Sequence, residues 1–211
     1  MTDGVPDTET AILDAALAEV LTHGIRRTTA SDIARRCGIA RQTLYRYWPD
    51  AQAVFAALVT RELLAALPAE EGEAQNLESL VELLRETADR VRRLPLVDRL
   101  RDTDPELFAR YILDRIGTSQ RAIHAEAARR IVEGQRAGYV RAGDAAQLAA
   151  MVLLIAQSAV QSAPLVAEWL PEEAWRAELS TALRGYLARP EETPRPSGAT
   201  ESSPEGRGTA R

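Results

Sequence analysis

The chain has no lysine: all 26 of its basic residues are arginine. That bias reflects GC-rich codon usage, so an arginine's position says more than its identity. Cysteine is nearly absent as well. Cys37 alone excludes an internal disulfide and any cysteine-built metal cluster, and the two histidines, His23 and His124, lie far apart in the chain and form no ligand pair. Aromatic residues are only 5% of the sequence, so alanine and leucine carry most of its 45% apolar content. No uncharged apolar run reaches the roughly 18 residues of a membrane span, and Met1 to Glu9 carries acids where a signal peptide carries bases before an apolar stretch. These absences point to a cytoplasmic protein with no membrane partner. Catalytic arrangements are missing too: there is no glycine-rich phosphate loop, no Glu-x-x-His pair and no nucleophile elbow, so neither an enzyme, a metal site nor a cofactor is expected.

What is present is 211 residues, enough to bury a real core in one or two small domains, with a formal net charge of −5. The charge is unevenly spread. Between Arg26 and Tyr47 stand six arginines (Arg26, Arg27, Arg35, Arg36, Arg41, Arg46) against Asp32 alone, a local net of +5, whereas residues 61–211 hold 20 arginines against 24 acids. One basic stretch therefore sits in an otherwise acidic chain.

Alternating β patterns are absent and apolar residues recur at helical spacing, so the fold class expected is all-α. A first helix spans Thr8 to His23, with Ile12/Leu13, Ala16/Leu17 and Val20/Leu21 as its buried stripe and Gly24 as its stop. Thr29-Ala30-Ser31-Asp32 reads as a capping box opening a short helix from Ala30 to Cys37. Gly38 breaks it, and a third short helix covers Ala40 to Tyr47. Further helices are expected over Asp50 to Leu67, Asn76 to Leu94, Pro105 to Ile116, Ser119 to Ala137, Asp144 to Ala163 and Glu172 to Ala188, with only a short piece between Pro95 and Asp102. From Arg189 to Arg211 almost no apolar residue remains, the composition of a disordered tail.

Two short helices joined by a glycine turn, the second rich in hydrogen-bonding side chains, form a helix-turn-helix pattern. Ala34 is small where the helices must cross, Gly38 allows the tight turn, and Ile33, Cys37, Ile39 and Leu44 supply apolar contacts. The exposed face then offers Arg41, Gln42, Thr43, Tyr45, Arg46 and Tyr47 to base edges and phosphates.

The segment from Thr28 to Val54, TTASDIARRCGIARQTLYRYWPDAQAV, resembles the DNA-binding domain of the TetR family of bacterial transcriptional regulators. The likeness lies in its I-A, small-Gly-aliphatic and T-L-Y-x-aromatic-aromatic elements. It covers roughly the first 60 residues, and the remainder resembles the family in architecture only. The resemblance implies that Thr29, Arg41, Thr43, Tyr45 and Tyr47 contact phosphates or bases, that Arg41, Gln42 and Arg46 read sequence, and that Ser31 adds a further contact. It also implies a division into a DNA-binding domain at 1–50, a ligand-binding and dimerisation domain at 51–188 and the tail at 189–211. The expected partners are double-stranded operator DNA, a second copy docked through helices near 144–163 and 172–188, and a small-molecule effector.

Three positions depart from the family pattern: Ala40 replaces the usual capping serine, Ala51 replaces a phosphate-gripping lysine, and Tyr47 stands where histidine is common. Ala40 and Ala51 keep a second reading open, a dimeric ligand-binding or interaction module whose DNA-binding function has decayed. Retention of +5 across residues 26–47 argues against decay. Trp48 and Cys37 read as core. Gln157, Ser158 and Gln161 interrupt an apolar helix and suit either a ligand cavity or bonds across a dimer, while Trp169 and Tyr111 are further cavity candidates.

Overall fold

The computed structural model describes residues 7–67, 74–103, 106 and 118–190. Among the described residues there are nine α-helices and no strand. Helix α1 (Thr8–His23) buries Ile12, Leu13, Ala16 and Val20, while Leu21 lies at the stripe's edge and is exposed. A 3-10 turn (Ile25–Arg27) leads to α2 (Ala30–Cys37), whose capping box is complete. The Asp32 amide donates to Thr29 Oγ1 at 3.2 Å, and the Thr29 amide donates to Asp32 Oδ2 at 3.1 Å. Gly38 ends α2 in the left-handed conformation (φ 73°), so that Ile39 N reaches back to Ala34 O at 3.0 Å and Gly38 N to Arg35 O at 3.2 Å. Helix α3 (Arg41–Tyr47) begins without a side-chain cap, because Ala40 has no oxygen to offer. Helix α4 (Ala51–Ala65) is capped by Asp50, whose Oδ1 accepts from Ala53 N at 2.8 Å.

The rest of the bundle comprises α5 (Leu77–Arg92), α6 (Pro95–Thr103), α7 (Thr118–Arg136), α8 (Ala145–Ser162) and α9 (Glu172–Leu187). The short piece expected after Pro95 is in fact a nine-residue helix. Proline is well tolerated in a first turn, where its missing N–H would have no intrahelical acceptor, so Pro95 starts α6 as well as ending α5. Gly134 of α7 accepts the fold-back of the chain: Tyr139 N and Val140 N both donate to its carbonyl, and a Cβ there would stand 2.5 Å from Val140 Cγ2. The expected Pro105 to Ile116 helix, Tyr111 and the tail beyond Pro190 lie outside the described residues.

Side chains segregate into two cores. The first joins α1, α2, α3, α4 and α6 around Ile12, Val20, Ile33, Leu44, Val54, Leu58, Leu96 and Leu100. The second joins α5, α7, α8 and α9 around Leu80, Ile131, Leu148, Val152, Trp175, Leu179 and Leu183. Helix α6 thus packs its apolar face, Leu96, Val97 and Leu100, into the core of the first helices. Its Arg99 Nη2 also donates to Thr22 O at 3.2 Å, a cation at the carbonyl end of α1.

Candidate nucleic-acid interface

The geometry of the α2–α3 unit follows from its core side. Leu44 and Ile33 are fully buried and Ala34 nearly so, while Cys37, Ile39 and Trp48 pack half-buried against the same cluster. Burial raises the Cys37 thiol above its ordinary range, as suits a small apolar packing residue. An ion pair fixes the unit to its support: Arg36 Nε donates at 2.7 Å to Oε1 of Glu19, a residue of α1 whose side chain is almost wholly buried.

With one side of α3 committed inward, its other side is presented to solvent. Arg41, Gln42, Tyr45, Arg46 and Tyr47 are exposed and Thr43 is half-buried. Tyr45 and Tyr47 keep 37% and 42% of their surface, and Tyr47 leans on Trp48 with ring centroids 5.9 Å apart. Arg41 is not free. Its Nε and Nη2 both donate to Tyr45 Oη, at 2.8 and 2.5 Å. On α2, Ser31 is exposed, but the hydroxyl of Thr29 is engaged within the capping box, donating to Asp32 Oδ2 at 2.5 Å. That hydrogen bond, with the Thr29 amide and Arg35 beside it, holds the Asp32 carboxyl below its usual range.

The local net of +5 overstates the free positive charge. Arg35 pairs with Asp32 at 2.6 Å, Arg36 with Glu19, and Arg26 with Glu106 at 3.3 Å, two of these acids lying outside the basic stretch. Among the described residues Arg27 and Arg46 make no such pair. Arg27, exposed in the turn before α2, is a phosphate-contact candidate that motif reasoning passed over; the only signal was its place in the basic stretch. Ala51 packs half-buried against the first core, so the methyl that replaces a lysine serves packing instead.

A short, solvent-facing helix bearing arginine, glutamine and tyrosine, braced by a second helix across a glycine turn, defines a helix-turn-helix DNA-binding protein. Residues 12–58 match the family model for bacterial regulatory proteins of the tetR family. The chain is also 41% identical over 187 residues to an uncharacterized HTH-type transcriptional regulator of Mycobacterium tuberculosis, an alignment covering 89% of this chain and 98% of that one. A counterpart in Mycobacterium bovis matches to the same extent. The chain belongs to the TetR family of helix-turn-helix transcriptional regulators.

Solved structures agree on the fold over most of the chain. The fatty acid degradation regulator FadR from Bacillus halodurans superposes with a TM-score of 0.61 at 17% identity, covering 88% of this chain and 97% of its own. FadR from Bacillus subtilis, solved in complex with stearoyl-CoA, gives a TM-score of 0.60 at 14% identity, covering 84% and 98%. At these identities the likeness is one of fold.

Proposed function

We propose that this regulator is a homodimeric repressor released from a palindromic operator by a small-molecule effector. The observation that carries the reading is the solvent-facing side of α3, where Arg41, Gln42, Tyr45, Arg46 and Tyr47 stand together on a rigidly packed support. In this reading Arg41, Gln42 and Arg46 read bases. Thr43, Tyr45, Tyr47, Ser31 and the α2 N-terminus at Thr29 hold phosphates. The two recognition helices of a dimer then enter successive major grooves ~34 to 36 Å apart.

Support for the dimer comes from α8. Although Gln147, Gln157, Ser158 and Gln161 interrupt it, the span Ala145–Val166 that begins with α8 is long and apolar enough on average to cross a membrane, yet only 17% of its most apolar window is buried within the protomer. Leu154 and Met151 keep 59% and 43% of their surface on α8, and Gln161 Nε2 is buried without a hydrogen-bond partner. On α9 the exposed residues Ala177, Thr181, Ala182 and Gly185 are small, with Glu178 the one charge among them. A second copy meeting α8 and α9 covers that surface, in keeping with family membership. Trp169, expected at a cavity, is instead 79% exposed in the α8–α9 connection.

For the effector, a cleft of about 460 Å³ opens among the end of α5, α6 and the start of α9, lined by Arg92, Arg93, Asp98, Arg101, Leu170 and Trp175 among others. Helix α6 gives Asp98 and Arg101 to this cleft and Leu96 and Leu100 to the core beneath the reading helices. Effector and operator are then coupled reciprocally.

The test is titrated binding of the purified protein to DNA from immediately upstream of its own gene, at two salt concentrations with excess nonspecific competitor. The expected result is tight binding that survives competitor and falls steeply with salt. Weak, fully salt-labile binding on every fragment tried would favour the decayed-domain reading, for which the uncapped Ala40 and the methyl at Ala51 speak.

A further inference from the structure

The coupling between Arg41 and Tyr45 goes beyond two neighbouring contacts, and its functional meaning rests on Arg41 reading a base. In an α-helix side chains lean toward the N-terminus, so Tyr45 lies back over the residue four positions earlier. The guanidinium carbon of Arg41 sits 5.1 Å from the Tyr45 ring centroid. Its Nε and Nη2 converge on the one phenolic oxygen at 2.8 and 2.5 Å. Among the described residues no carboxylate competes for Arg41.

We propose that Tyr45 is the positioning residue that aims Arg41 at a guanine. A guanidinium carries five N–H donors in a planar fork. With the Nε–H and one Nη2 hydrogen committed to Tyr45, the side edge of the fork is used up. The far edge, one Nη1 hydrogen beside the remaining Nη2 hydrogen, stays open. That edge is the one that pairs bidentately with guanine O6 and N7. Arginine is among the most flexible side chains, so fixing its plane before encounter removes ordering that would otherwise accompany binding. The tyrosine oxygen, accepting twice, directs its own O–H away from Arg41. A phosphate oxygen is the natural acceptor there, so Tyr45 ties the backbone register of the DNA to the angle of the base-reading side chain.

The experiment selects binding sites from a random-sequence duplex pool with the full-length protein, then with Arg41→Ala, Tyr45→Phe and the double substitution. Tyr45→Phe keeps the ring and its exposed setting and deletes only the oxygen, so an unchanged melting temperature accompanies it. Arg41→Ala should abolish the preference for guanine at one position of each half-site, a discrimination of roughly 5- to 150-fold for a good bidentate pair. Tyr45→Phe should lower the preference at that same guanine by about fivefold, the scale of one net hydrogen bond, and at no other position. In the Arg41→Ala background it should add nothing to base discrimination. A phosphate-only tyrosine gives a different result: Tyr45→Phe weakens all sequences equally and leaves guanine preference intact, which overturns the positioning role while sparing Arg41. If Arg41→Ala leaves every base preference unchanged, Arg41 is no base reader and both readings fall together.

Discussion

The bare start of α3 makes Ala40→Ser a gain-of-stability test of the helix-turn-helix itself. Ala40 already has the extended backbone of a capping residue (φ −68°, ψ 142°) and is exposed, so a serine hydroxyl enters without clash or rearrangement. Typical capping substitutions are worth ~1 kcal/mol, within a range of about 0.5–2. Here the third helical position is Thr43, with no carboxylate to complete a capping box as Asp32 does on α2, so the gain falls in the lower half, about 0.5–1 kcal/mol. For a protein of this size that raises the melting temperature by about 1–4 °C. The matched control is Thr29→Ala on α2, which removes a cap that is fully made and should lose about 1–2 kcal/mol. Urea unfolding followed by circular dichroism, at one protomer concentration, reads both, with an unchanged m-value showing that stability alone has moved. DNA binding is the wrong assay, since a new hydroxyl can itself meet a phosphate. If Thr29→Ala destabilises as expected and Ala40→Ser gives no gain, the start of α3 is not limited by its missing cap.

Gly38→Ala should lose about 1–2 kcal/mol from backbone strain alone, since a Cβ there meets nothing within 4 Å, and Gly38→Asn should lose less; equal losses in denaturant titrations would contradict this. Acid should weaken α2 through Asp32. Its carboxyl is held below the ordinary 3.8 by Thr29 and Arg35, so its contribution is complete above that value and disappears as pH falls through the lowered folded value. Asp32→Asn should therefore flatten the loss of stability below about pH 4, and parallel wild-type and variant curves through that window would rule Asp32 out as the group responsible. Leu154→Arg should shift the light-scattering mass toward a monomer while leaving the helical spectrum unchanged, and a persisting dimer would place the interface away from α8.

Where order depends on neighbours in the chain, the sequence was readable to the residue. Helices Thr8–His23 and Ala30–Cys37 end where Gly24 and Gly38 stop them, and the Thr29 capping box is made in full. Where one residue can serve two elements, it was not: Pro95 read as a terminator is also the first residue of α6, and only the pull of Leu96, Val97 and Leu100 into a distant core shows it. Helix α4 ends at Ala65, short of the expected Leu67, because no glycine or cap marks its end. At the interface, the side chains facing solvent could be read from periodicity around the buried Leu44. Their mutual commitments could not. The bond of Arg41 to Tyr45 depends on rotamers, and the neutralisation of Arg36 depends on Glu19, which precedes it by a whole helix.

In the effector-released repressor proposed above, the seating of α6 limits how the signal can travel. Leu96, Val97 and Leu100 are each at most 6% exposed inside the core that carries the reading helices. Burying one such side chain is worth about 1.5–3 kcal/mol, whereas a ligand typically shifts a coupled equilibrium by about 1–3 kcal/mol in total. Pulling α6 out of its seat is therefore beyond the reach of such a ligand. The motion open to it is a pivot that keeps all three side chains covered while shifting Arg99, at the middle of α6, and with it the end of α1 at Thr22.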